Sequence, residues 1–400
     1  MNKKGFTLVE LLAVIAILAI LVIIALPNVI KLYNNAKKNT FLTEAKTIYK
    51  EAANKYITES MKGNKVSYIS SDTKNSLELN GSKDIEYKIR LNSDGSVRRF
   101  QVKNNSYCIN GKYNDANELI IDDVTEKECA EIDATYCKSN LDTLETGSEV
   151  IIGKYTYRYN QTYYNSTGWA DYKNNGWGVI LTDKESTDDI TEVPCTFIDD
   201  KPIISLGYTF HSSKAKNIDL SGINTNHVTN MDFTFGKTSA NTINILDFDT
   251  SNVKGYGMTQ LFNSSNVKKI YGLEYFDTSK VTNMYYMFAH TSIDNLNISN
   301  FDTSNVQNMS WMFRATNYKS LDLTNFDTSK VYSYQGMFYG STIDNLNISN
   351  FNLLDSATFD GMFSRAKINN VYTKNKVDAD KFKSKSEILE NVNFTYKNNN

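Results

Sequence analysis

The chain of 400 residues is short of several things that common functions need. It has no basic excess: 43 Lys and Arg stand against 45 Asp and Glu, a formal charge of -2. A protein that grips nucleic acid through its phosphates needs a surplus of cations, so no nucleic-acid partner is expected. Histidine is scarce, with only His211, His227 and His290, and no Ser or Cys stands in a nucleophile motif. The chain therefore reads as no enzyme, and no cofactor is expected. Proline is rarer than the length would suggest, with three in all. The four cysteines (Cys108, Cys129, Cys137 and Cys195) lack Cys-x-x-Cys spacing, so no metal site is expected either. Their even number fits two disulfides if they lie outside the cell. Cys108–Cys129 and Cys137–Cys195 is the pairing that closes two local units, and four buried thiols are the alternative. Asn is so common that its Asn-X-Ser/Thr triplets carry little weight as glycosylation sites.

What is present begins at the N-terminus. Phe6 to Leu26 is an apolar run with a single charge, long enough to cross a hydrocarbon core of about 30 Å. Lys3 and Lys4 would keep the N-terminus cytoplasmic, which puts the rest of a single-pass chain outside the cell. No small-residue cleavage site follows the run. Pro27-Asn28 comes instead, and then the helical pattern resumes. Glu10 is a carboxylate inside this segment, costly enough in a bilayer to be read as functional.

The stretch Lys3-Lys-Gly5-Phe-Thr-Leu-Val-Glu10, followed by 16 apolar residues, resembles the class III signal of type IV prepilins and pseudopilins. That resemblance implies a five-residue leader (1–5), cleavage after Gly5 by a prepilin peptidase, and methylation of the new amine on Phe6. It also implies that Glu10 pairs with the N-terminal amine of a neighbouring pilin-like subunit, an ion pair far cheaper in low dielectric than a lone charge. Apolar residues recur at three- and four-residue intervals from Val29 to Tyr56, which extends one helix over 6–62, roughly 80 Å long, with a kink or local melting at Pro27.

Residues 63–150 lose the helical period and read as a small β-rich head. Ile85 to Leu91 and Val97 to Val102 alternate, with Asp94-Gly95 as the hairpin turn. Residues 151–205 are rich in Tyr and Trp, with Tyr155, Tyr157 and Tyr159 on one face of a strand. They read as a linker and N-terminal cap over the repeats, with an aromatic platform for a sugar or peptide as the alternative.

Residues 206–372 are repetitive. Phe-Asp-Thr-Ser-(Asn/Lys)-Val recurs at Phe248, Phe276, Phe301 and Phe326. A second anchor recurs at Phe210, Phe235, Phe262, Phe288, Phe313, Phe338 and Phe363, about 25 residues apart, with short insertions after Phe248 and Phe262. A third is an apolar pair such as Ile218-Asp-Leu220 or Leu346-Asn-Ile348, two inward residues of a short strand. Val281, Met284, Met287 and Phe288 are spaced as one or two helical turns would be. The repeated Asp249, Asp277, Asp302 and Asp327 read as turn caps rather than a calcium ladder, because the paired Gly and Asp of such ladders are missing. No repeat can bury these faces alone, so six or so must stack into a solenoid about 30 Å long.

The signature Phe301-Asp-Thr-Ser-Asn-Val-Gln-Asn-Met-Ser-Trp-Met-Phe313 resembles BspA-like leucine-rich repeats of bacterial surface proteins. The resemblance implies a right-handed leucine-rich-repeat-type solenoid and a role in adhesion to host proteins, other bacteria or extracellular matrix. Tyr332-Ser-Tyr334 departs as a core swap and Asn352-Leu-Leu as a terminal cap, and 373–400 would seal the end. The fold class expected is thus α+β multidomain: a long helix, a small pilin-like head, then the repeats. The function expected is a membrane-anchored, pilin-like surface protein, or alternatively a minor pseudopilin of a secretion or DNA-uptake apparatus. Lys319, Tyr285, Trp311 and Gln335 vary between repeats and are the candidate contact residues.

Overall fold

The computed structural model describes the chain except for residues 1–7, 63–65, 67, 72–75, 80–83, 92–93, 127–134, 165–167, 173–174, 386–392 and 397–400. The side chains at 9–11, 18, 20–24, 68, 164 and 385 are also outside it. The chain divides into two compact units, Met1–Ile132 and Asp133–Asn400.

The first unit is built on α1, Leu8–Met61. Ala, Leu, Glu and Lys favour helix, and the hydroxyls of Thr40, Thr43 and Thr47 donate to carbonyls four residues back rather than competing with the helix. The helix does not melt at Pro27 but runs through it, since one lost N–H bond is small against so many good helix formers on either side. Among the described residues no helix is long and apolar enough to cross a membrane. Of the spanning segment expected at 6–26, residues 8–26 lie in α1, while residues 6–7 and the side chains at 9–11, 18 and 20–24 are outside the described set.

The two halves of α1 differ in what covers them. Phe41, Ala45, Ile48, Tyr49 and Ala52 are buried against a four-stranded antiparallel sheet, in the order Tyr68–Ser70, Glu86–Leu91, Val97–Lys103, Cys108–Gly111. The Tyr49 ring lies 5.3 Å from that of Phe100, and its hydroxyl donates to the Tyr113 carbonyl at 2.8 Å. In the hairpin, Gly95 takes φ +86°, a conformation that favours glycine. A Cβ there would also collide with the Tyr56 ring. Earlier on the helix Val29, Ile30, Leu32 and Tyr33 stay exposed.

The second unit starts well before Val150, where the sequence placed the end of the head. Tyr136–Cys137 pairs with Phe197–Ile198, at one edge of a six-stranded sheet. The sheet continues through Lys201–Ser205, Trp177–Leu181 and Tyr155–Tyr159 to Glu149–Ile152. Cys137 and Cys195 form a disulfide with Cα atoms 6.0 Å apart. On the chain-entropy account, closing such a loop stabilises by about 4 kcal/mol. Cys108 is also disulfide-bonded, while Cys129 lies outside the described residues. Tyr155, Tyr157, Tyr159 and Trp177 are all buried, so these four rings pack as core and present no aromatic face to solvent. Tyr155 stands edge-on to Phe210, the first ring of the array.

From there follows a β-solenoid of about eight turns. The turn beyond those counted from the Phe anchors comes from the cap: Leu181 donates to the Thr209 carbonyl, so Trp177–Leu181 acts as a first coil. Seven anchor phenylalanines stack face to face, centroids 5.5–5.9 Å apart with planes within 4–11°. Parallel ladders join Asn217–Asp219, Thr242–Asn244 and Lys269–Tyr271, then Asn317–Asp322, Thr342–Asn347 and Lys367–Thr373. The coil has been lengthened within the first ladder, at Gly255 (φ +58°) beside exposed Tyr256, and just past its last strand, at Gly272 (φ +103°). Tyr334 takes the buried Met position and stacks on Phe359 at 5.1 Å. At the far end a helix, Lys376–Lys385, sets Phe382 edge-on to Phe359 and Phe363.

The Met-x-x-Met-Phe stretch is not helical. In one coil Met231, Phe233, Phe235 and Lys237 donate to Gly257, Thr259, Leu261 and Asn263 of the next, while Thr234, Gly236 and Thr238 donate three residues back. A helix would keep all these bonds inside its own coil and leave the neighbouring coil unjoined. The Met and Phe side chains are nonetheless fully buried, as a helix would also have placed them.

The Asp-Thr-Ser cluster joins coils a second way. Asp249, Asp277, Asp302 and Asp327 accept from the Ser N–H two residues on, at 2.9–3.0 Å, and so cap their own turns. The buried Thr hydroxyls reach the next coil. Thr250 donates to the Asp277 carbonyl at 3.0 Å and accepts from the Asp277 N–H at 2.8 Å. Thr250→Val keeps the shape but orphans both backbone groups, so urea unfolding of the second unit should show a loss of about 1–3 kcal/mol. Thr250→Ser should lose much less, and equal losses would place the effect in the methyl group's packing.

Candidate functional site

The turn that links the coils fixes two left-handed positions in each repeat, two residues before and two after the anchor Phe. The first is Tyr208, Phe233, Gln260, Tyr286, Trp311, Gly336 and Gly361, at φ +54 to +60°. The second is Ser212, Lys237, Ser264, His290, Ala315, Gly340 and Arg365, at φ +52 to +65°. Such a residue stands third in its turn, where glycine or asparagine is favoured. For a bulky side chain this conformation costs roughly 1–2 kcal/mol. Two coils use glycine, so four aromatics here are not a requirement of the fold.

These aromatics form two groups along one flank, with Gln260 and Asn263 between them. In the first, Tyr208 packs 5.1 Å from Phe233 and 6.3 Å from Tyr163, with His211 4.6 Å from Phe233. Lys184 donates to the Tyr208 carbonyl at 3.0 Å, and burial lowers its pKa to about 8. Burial, aided by Lys184 and Lys237, pushes His211 down to about 4, so it is neutral at physiological pH.

The second group surrounds Arg314. Its guanidinium lies 5.0 Å from the Trp311 ring, 5.3 Å from Tyr339 and 5.9 Å from Tyr286. One guanidinium nitrogen donates to the Tyr286 hydroxyl at 2.8 Å, and Nε is buried without an acceptor. Exposed Arg365 sits 5.5 Å from the Tyr339 ring. Among the described residues neither arginine has a carboxylate partner. Burial, then the Arg314 charge, lowers the His290 pKa. Gly336 makes the group possible, because a Cβ there would collide with the Trp311 indole. Each cation–π contact contributes about 0.5–1 kcal/mol at such half-open sites.

The structure brings two of the sequence candidates together. Tyr285 packs 4.5 Å from Tyr286, which lies 5.9 Å from Trp311. Gln335 is adjacent, its carbonyl accepting from the Trp311 N–H. Lys319 stands on the strand Asn317–Asp322, outside the group. Tyr286, Arg314 and Tyr339 were missed, although aligning every repeat on its anchor Phe would have shown each one departing from its neighbours. Of the N-terminal candidates, Gly5 and Phe6 lie outside the described residues, as does the side chain of Glu10.

Residues 1–26 match a family model described as a prokaryotic N-terminal methylation motif. Such a motif implies processing by a prepilin peptidase and pilin-like assembly of a membrane-anchored or surface-exposed protein. Residues 189–267 and 256–375 match a model described as Mycoplasma protein of unknown function, DUF285. No curated protein and no solved structure matches the chain.

One half-buried acid of the solenoid, Asp232, has a measurable consequence. Burial raises the carboxyl of Asp232 to about 6, against the hydrogen bond that Thr259 donates to it. A folded pKa above the unfolded one means the protonated form is favoured by folding. That contribution is complete below the unfolded value and is lost as pH rises through about 6. Asp232→Asn should therefore stabilise by about 1–3 kcal/mol near pH 7.5 and change little near pH 3.5. Thermal midpoints of the two proteins at both pH values check this, and equal midpoints near pH 7.5 would contradict it.

Proposed function

We propose that the chain is a pilin-like surface protein that presents its solenoid as a binding module outside the cell. A prepilin peptidase cuts after Gly5 and Phe6 is methylated. Residues 6–26 then hold the chain in the membrane as a single pass, with its N-terminus cytoplasmic until assembly, and Glu10 pairs with the amine of a neighbouring pilin-like subunit. The observation that carries this reading is a prepilin-type motif on the same chain as a β-solenoid of about eight turns. The exposed apolar residues Val29, Ile30, Leu32 and Tyr33 support it, because a helix assembled among others of its kind would cover them.

The Phe301 to Phe313 signature supports taking the repeats as BspA-like leucine-rich repeats, and with that an adhesive role toward an extracellular protein or matrix. A binding role is also favoured over catalysis by how the repeat acids are used. The Asp carboxylates hold turns, and the Thr hydroxyls hold neighbouring coils.

Mass spectrometry of the native protein tests the pathway. The expected product begins at methylated Phe6, and Gly5→Ala should abolish processing. Glu10→Leu should be processed normally yet fail to enter assemblies. A chain that retains Met1 would overturn the pilin-like reading.

A further inference from the structure

The group around Arg314 carries an inference about the ligand, which rests on the surface-binding reading above. Trp311 and Tyr286 are held in a left-handed conformation at a position where two other coils use glycine. Arg314 occupies the place that is Gly236, Ala289 or Ser364 elsewhere, so the fold does not call for a cation there. The fold-independent residues nevertheless converge. Three half-buried rings surround one guanidinium, exposed Tyr285 lies beside them, and Arg365 stands against the far ring.

We infer that this flank binds an acidic saccharide, a sugar whose carboxylate pairs with Arg314 and Arg365 while its ring lies on the aromatic faces. The cations have no internal counter-charge among the described residues, and an anion is what they lack. Carboxylate is the group that a planar guanidinium fork meets in two places. Aromatic faces carry negative quadrupole density that attracts the positively polarised C–H face of a sugar, and tyrosine hydroxyls suit the sugar's polar rim. A peptide is disfavoured because main-chain recognition needs unpaired backbone groups. The donors here are already spent: Trp311 N–H on Gln335, Phe313 N–H on Met337 and Gly336 N–H on Asp360.

The test uses the full chain in detergent, titrated with sialyllactose, with lactose as the same sugar lacking the carboxylate, and with a hyaluronan oligosaccharide. At least one acidic sugar should bind about tenfold or more tightly than lactose, with affinity falling as salt is raised. Arg314→Gln should reduce that binding to the lactose level. Exposed Arg365→Gln should weaken it by a smaller factor with an unchanged thermal midpoint, which keeps the test decisive if Arg314→Gln misfolds. Equal binding of lactose and sialyllactose, preference for a Glu-rich peptide, unaltered affinity in Arg365→Gln, or no acidic sugar bound would each overturn the assignment. Processing at Phe6 is read separately, so a failed titration leaves the pilin-like reading standing.

Discussion

Everything in the second unit follows from where a coil's backbone N–H groups find acceptors. A repeat of about 25 residues is too small to enclose a core, so its backbone polar groups must be satisfied by its neighbours. The turn beside each anchor Phe solves this by alternation, one N–H going to its own turn and the next to the adjacent coil. That alternation requires left-handed residues at fixed places. It also brings successive coils close enough for the anchor rings to stack and for the Thr hydroxyls to reach the next Asp. Backbone connection and side-chain core are thus two results of one spacing.

The same constraint decides where the chain is free to vary. Inward positions are held to Phe, Met, Val and Ile by the stack, and the Asp-Thr-Ser positions by their hydrogen bonds. The outward flank of the turn has only a backbone requirement, which glycine meets at least cost. Large or charged residues there add nothing that the array needs. For that reason Trp311, Arg314 and Tyr286 are more informative about function than the far more regular residues beneath them.

The repeats were legible because burial leaves a period in the side chains: the Phe spacing, the apolar pairs and the Tyr334 swap could all be read directly. The turn was misread as helix for a definite reason. Met284, Met287 and Phe288 are buried at helical intervals in either conformation, and side-chain pattern says nothing about where N–H groups point. Gly336, Gly340 and Gly361 were the available sign of left-handed backbone. The start of the second unit was hidden because Tyr136–Cys137 is a two-residue strand, too short to alternate, and it is held by pairing with residues some sixty positions away. Tyr285 and Trp311 stood out as departures from consensus. Arg314 and Tyr339 needed the three-dimensional alignment of coils to join them.

The Cys137–Cys195 bond acquires a mechanical meaning once the chain is considered under load. A stacked array loaded through one terminus tends to peel one layer at a time. Tension entering along the chain at residue 137 crosses the sulfur bridge to residue 195 and bypasses everything between. Those 58 positions would otherwise pay out about 200 Å of slack when extended. With the bridge closed, force entering at residue 137 passes almost directly into the strand Lys201–Ser205 beside the first coil, and the strands between the two cysteines are shielded from unravelling.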